Sequence, residues 1–234
     1  MIVKRLKHPL SKLRNWLYEA LVPSQPTCTR AALDDLDSKL EKYLNYDNGF
    51  FIEAGANDGF FASNTYYFEM TRHWRGILIE PIPELYRRCR KLRKNSKVIN
   101  CALVSNTYSG KHVTMRYANL MSIVDGARGD AQKDSAYIQQ GLEVQDIKRS
   151  YSVRVPGRTL TSILDELAVT NIDLLTVDVE GYEVEALKGL DLQRYRPKYI
   201  CVEAWARQAI DDYLIPYYEI VDELTELDIL YRAK

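Results

Sequence analysis

Four short apolar runs, each finishing in an acidic residue, constrain this chain more than any other feature. Phe50-Phe51-Ile52 leads into Glu53, Gly76-Ile77-Leu78-Ile79 into Glu80, Leu174-Leu175-Thr176-Val177 into Asp178, and Tyr199-Ile200-Cys201-Val202 into Glu203. Runs this short and this continuously apolar, separated by helical periodicity, read as strands of a parallel sheet buried on both faces. The carboxyl edge of that sheet would then carry Glu53, Glu80, Asp178 and Glu203, and ligands of open α/β sheets bind at that edge. The turn after the first run, Gly55-Ala56-Asn57-Asp58-Gly59, lets the backbone pass close under a ligand. Its Glu-x-Gly-x-x-x-Gly spacing is not that of a dinucleotide fingerprint, and no P-loop Gly-Lys-Ser/Thr follows.

The organisation along the chain supports one α/β domain of about 49–234 behind an N-terminal helical extension, residues 1–48. Leu33, Leu36, Leu40 and Leu44 fall on one helical face between Ala31 and Leu44. Helices are predicted over 63–72, after Pro83, over 159–167 and over 181–187, with a third strand over about 97–104. His112 to Tyr117 alternates like an edge strand. Residues 118–150 are polar and read as a long loop with a short helix, serving as a lid or acceptor-recognition insert. The tail at 217–221 and 227–231 reads as an antiparallel pair around a polar turn.

The run from Glu53 to Gly59, with Ser63-Asn64-Thr65, Ile79-Glu80-Pro81, Asp178-Val179-Glu180-Gly181-Tyr182-Glu183 and Val202-Glu203, resembles the FkbM-type methyltransferases over roughly 49–205. The resemblance implies a Rossmann-like class I methyltransferase fold with a C-terminal antiparallel hairpin. It also implies S-adenosylmethionine as methyl donor and O-methylation of a hydroxyl on a sugar, glycan or related small metabolite. With it, Glu53, Gly55, Asn57 and Gly59 are expected at the methionine part of the donor. Ser63 and Asn64 are expected at its carboxylate, Ser63 serving equally well as a helix cap. Glu80 is expected on the ribose hydroxyls and Ala102 beside the adenine.

A neutral hydroxyl needs a base or a Lewis acid to take its proton. None of the three histidines, His8, His73 and His112, falls near the carboxyl edge, so Asp178, Glu180 and Glu203 are the catalytic candidates. Asp178 and Glu203 would be the ligands of a divalent metal, the less favoured reading, since no His or Asn joins them at a metal spacing. A non-catalytic methyltransferase-like scaffold would not need these acids, and a nicotinamide oxidoreductase is disfavoured by the glycine spacing and the C-terminal hairpin.

Thirty-two acids balance 32 Lys and Arg, so global charge argues for neither a nucleic-acid nor another polyanionic partner, and no nucleic acid is expected. Cys28, Cys89, Cys101 and Cys201 show neither metal nor disulfide spacing, and the expected location is cytoplasmic. Lys4, Arg5, Lys7, Lys12 and Arg14 with Trp16 give residues 1–22 a basic amphipathic pattern suited to peripheral membrane contact or to packing on the domain. The helix after Pro83 is strongly basic and reads as a solvated outer face.

Overall fold

The computed structural model describes residues 29–234. The basic amphipathic segment 1–22 and the proline-marked linker at 23–26 lie outside the described residues. A seven-stranded sheet forms the frame, in the order β10-β11-β9-β8-β1-β2-β3. Its strands are β1 (Phe50–Ala54), β2 (Arg75–Ile79), β3 (Lys97–Ile99), β8 (Leu174–Val177), β9 (Tyr199–Glu203), β10 (Tyr218–Glu223) and β11 (Asp228–Ala233). The first five are parallel, while β11 runs antiparallel to both β9 and β10. This is the mostly parallel sheet with a C-terminal antiparallel hairpin expected from the sequence.

Strand alternation divides the apolar residues between two cores. Ile52, Ile77, Ile79, Leu175, Val177, Ile200 and Val202 face α5 (Leu160–Leu167), α6 (Glu183–Leu187) and α7 (Arg207–Leu214). Phe51, Leu78, Leu174, Cys201 and Leu230 face Leu36, Leu40 and Leu44 around α1 (Leu36–Glu41), together with Phe68 of α2 (Tyr66–Thr71) and Cys89 of α3 (Pro83–Leu92). Both faces are covered, which is why the strands read as unbroken apolar runs. The first helix is shorter than its leucine periodicity suggests, because Asp34 and Asp35 are left-handed (φ 51° and 56°) and break its start.

The structure corrects the reading of 97–117. The predicted third strand splits: β3 ends at Ile99, and Asn100 Nδ2 donates to the carbonyls of Glu80 and Pro81, each at 2.8 Å. The chain then leaves the main sheet as β4 (Ala102–Leu103), part of a second sheet in the order β4-β7-β5-β6. Its other strands are β5 (His112–Arg116), β6 (Ile123–Val124) and β7 (Ser152–Arg158). The segment beginning at His112 is therefore interior to this second sheet, antiparallel to β6 and β7, and is no edge of the main one. Strand β7 went unpredicted because Pro156 and Gly157 lie inside it, and such residues demote a run from strand. Within 118–150 the helix is longer than expected: α4 spans Ala131–Gln145, capped by the Asp130 side chain accepting from Lys133 N at 2.8 Å.

Candidate active site

A cleft opens at the carboxyl edge of the main sheet and is roofed by the second sheet. Gly55, Asn57, Glu80 and Ala102 line one part of it, Asp178, Glu180 and Tyr182 another, and Met115, Asn119 and Ser122 the roof. Its position relative to each strand follows from where the acids fall in the ladder. Glu80 and Asp178 lie one residue beyond β2 and β8, their backbone N–H groups still held by the Ile99 and Ala54 carbonyls at 3.0 and 3.1 Å, and both line the cleft.

The Glu80 carboxylate accepts the backbone N–H of Asn57 at 2.8 Å and of Ile82 at 2.7 Å. Burial nevertheless pushes its pKa up to about 8, against those two bonds and with the charge of Asp58 adding to the rise. It keeps lone pairs for further donors, and Ile79, Cys101, Ala102, Leu103 and Met115 beside it form an apolar wall. A carboxylate next to a flat apolar slot fits a nucleoside: hydroxyls to the acid, base to the slot.

Glu53, Ser63, Asn64 and Gly59, expected at the donor, lie outside the lining of the cleft. Glu53 is the penultimate residue of β1 and points beneath the sheet edge, on the Phe51 side. It accepts from Ser63 Oγ at 2.9 Å, Asn64 N at 2.7 Å and Thr65 Oγ1 at 2.6 Å. Arg93 completes this knot. Its guanidinium, wholly buried, donates to Glu69 Oε2 (2.8 Å), the Gly59 carbonyl (3.0 Å), Ser63 Oγ (3.1 Å) and Thr65 Oγ1 (2.9 Å), and lies 3.5 Å from Glu53. These residues build the loop that floors the cleft. Gly55 serves the loop as well: at φ 89°, a Cβ there would sit 1.8 Å from the Asp178 carbonyl oxygen.

At the other end, carboxylate oxygens of Asp178, Glu180 and Glu203 converge within 4.8 Å of one another. Glu180 (φ 58°) and Gly181 (φ 98°) form a left-handed turn after β8, and Glu183 braces it by accepting Val179 N at 3.2 Å and Gly181 N at 2.8 Å. Three donors hold the acids in place: Tyr137 Oη and Arg128 Nη2 (3.3 Å) on Glu180, and the Trp205 indole N–H (2.8 Å) on Glu203. Burial, then the charges of Glu203 and Glu180, then a hydrogen bond with Glu203 raise the Asp178 pKa well above the usual carboxylate range. Burial and the Glu203 charge also raise Glu180, while Tyr137 and Arg128 pull it back. The three oxygens are hard donors of the kind that suit Mg²⁺ or Mn²⁺.

Sequence reasoning missed Arg93, Arg128, Tyr137, Trp205 and Glu183. A signal existed for the first. Arg93 follows Leu85 and Cys89 at four-residue steps, the buried stripe of α3, so one base of the run faces inward.

A pH dependence of stability follows. Glu80 and Glu183 have an ordinary pKa of 4.5 and rise to about 8 and about 7 in the fold, each through burial. The folded chain therefore holds protons that the unfolded chain has lost. Their contribution is full below about 4.5 and disappears as pH rises through 7 and 8. Glu41, lowered to about 2 by hydrogen bonds from Tyr67, Arg30 and Arg72 that outweigh its burial, acts only below this window. The ligand-free protein should melt roughly 5–10 °C lower at pH 8.5 than at pH 5.5. A melting temperature that rises over that interval would show these acids to be ionised throughout.

Comparison with known proteins agrees with this geometry. The sequence profile described as Methyltransferase FkbM domain matches residues 53–226. Methyltransferase sdnD of Sordaria araneosa is 29% identical over 182 residues, covering 70% of this chain and 69% of that protein. Among solved structures, the N-terminal domain of human METTL16 in complex with SAH gives a TM-score of 0.48 at 11% identity, over 97% of this chain and 83% of that one. A methyltransferase from Geobacter sulfurreducens gives 0.45 at 11% identity, over 97% and 89%. Profile and strand order carry the assignment. The chain belongs to the FkbM methyltransferase family.

Proposed function

We propose that the protein O-methylates a hydroxyl of a sugar, glycan or related small metabolite, with Asp178 as the base. The convergence of Asp178, Glu180 and Glu203 within 4.8 Å, in a cleft that also holds Glu80, carries this reading. The donor supplies an electrophilic methyl on a sulfonium. Glu80 holds the ribose hydroxyls, and Gly55, Asn57 and Ala102 shape the wall against which the donor lies. Asp178 faces the cleft and takes the acceptor's proton, its raised pKa making it a stronger base than an ordinary carboxylate. Glu203, behind it, holds the second end of the Asp178 hydrogen bond and is itself fixed by Trp205. Glu180 completes the negative field that faces the sulfonium.

A non-catalytic module would have no use for three buried like charges, which are costly to assemble. The same convergence supports a second reading, in which Asp178 and Glu203 would hold a divalent cation, whose charge would lower the proton affinity of the acceptor hydroxyl. Chelator separates the two: a base-only site ignores it, and a metal site loses its rate and regains it with Mg²⁺ or Mn²⁺.

Labelled donor with a panel of nucleotide sugars, glycans and hydroxylated metabolites tests the reaction, label in a base-stable ether bond being the expected product. Label appearing on nitrogen or carbon acceptors alone would remove the O-methyl assignment. Glu80→Ala should weaken S-adenosylhomocysteine binding more than tenfold in a folded protein, since hydrogen bonds to a charged acceptor are worth about 1.5–3 kcal/mol each. Calorimetric titration reads this directly, and an unchanged affinity would take the ribose away from Glu80.

A further inference from the structure

Beside the acid cluster stands an aromatic corner that already contains a cation from the chain itself. The guanidinium carbon of Arg128 lies 3.8 Å from the centre of the Tyr137 ring and 4.2 Å from that of Trp205. The two rings stand 6.2 Å apart at 87°, so they form two walls of a box. Glu180, bound by both Tyr137 Oη and Arg128, forms a third wall. Gly181 forms the fourth, where a Cβ would come within 3.2 Å of the guanidinium. Ring faces and carboxylates together suit a cation of any origin.

Arg128 is lightly held for so enclosed a place. Among the described residues its guanidinium makes one hydrogen bond, to Glu180, and its Nε is buried without an acceptor. Gly126 (φ 89°) and Gly129 (φ 101°) flank it, both with open space where a Cβ would be. Asp134 holds the Gly126 and Arg128 amides and Gly129 N donates to the Gly126 carbonyl at 3.0 Å, so the turn is fixed and the side chain leaves by rotation about its own torsions.

We infer that this box is the cation subsite of the acceptor: an ammonium or guanidinium group on the acceptor displaces Arg128 and thereby places a neighbouring hydroxyl at Asp178. The inference rests on reading the acid cluster as the transfer end of the cleft. Charge supports it, since an anionic acceptor group would meet Asp178, Glu180, Glu203 and Glu183 together, whereas a cationic one finds its counter-charges in place.

Methylguanidinium and its neutral counterpart methylurea make the test, titrated into the full chain at constant ionic strength. Emission of Trp205 is read against a Trp205→Phe background, because the chain also contains Trp16 and Trp74. Wild type should respond saturably to methylguanidinium and not to methylurea. Arg128→Ala, lacking the internal competitor, should bind methylguanidinium about tenfold more tightly, and Tyr137→Leu should lose the response. A wild type that ignores methylguanidinium while Arg128→Ala binds it makes Arg128 a fixed strut and overturns the proposal, as does an equal response to methylurea. The wild-type comparison decides alone if Arg128→Ala does not fold. Because binding is read without methyl transfer, this outcome is independent of the labelled-donor assay.

Discussion

Asp178→Asn should cut methyl transfer about a hundredfold while leaving S-adenosylhomocysteine affinity within about threefold of wild type. The amide keeps the size of the side chain and its place at the cleft but cannot take a proton, and a positioned general base is worth about 10²–10⁴ in rate. Glu203→Gln should follow with a smaller loss, because Glu203 acts through Asp178 and does not line the cleft. The wild-type rate should fall as pH drops through the raised Asp178 pKa, and the amide variant should lose that limb. Near-normal turnover in the amide variant would move proton removal elsewhere and leave the acids as a structural group.

The second large effect falls on stability. Arg93→Met should destabilise the fold by about 3–5 kcal/mol, the usual cost of removing one partner from a buried ionic network. Glu53 and Glu69 are both buried, and Arg93 is the cation that reaches both. Its loss also frees the Gly59 carbonyl and the Ser63 and Thr65 hydroxyls, so the loop flooring the cleft should loosen. Urea denaturation of the variant measures the first effect, and weaker S-adenosylhomocysteine binding reports the second. A change below about 1 kcal/mol would mean that the loop is held by its own backbone turns.

How much of this was legible from the residues differs by element. The four central strands β2, β1, β8 and β9 were readable because each is buried on both faces and carries an acid at or just past its end. The antiparallel tail was readable because 217–221 and 227–231 alternate around a polar turn. The second sheet was not, since β4 has two residues, β7 contains Pro156-Gly157, and the pairing of β5 with β7 joins segments about forty residues apart. The acids themselves looked equivalent in sequence. Two residues of register separate them: Glu53 lies inside β1, opposite Leu78 and Thr176, and turns into the loop knot, whereas Glu80 and Asp178 lie two positions further along, just past their strands, and face the cleft. Arg128 and Tyr137 gave no local signal, because what gives them a role is the return of the 118–150 segment onto the turn at Glu180.

A crystal structure of the S-adenosylhomocysteine complex tests the central claim most directly. The account predicts ribose hydroxyls within hydrogen-bond distance of Glu80, the base against Ala102, and the sulfur turned toward Asp178. A ligand bound outside this cleft, or one whose sulfur faces away from Asp178, would contradict it.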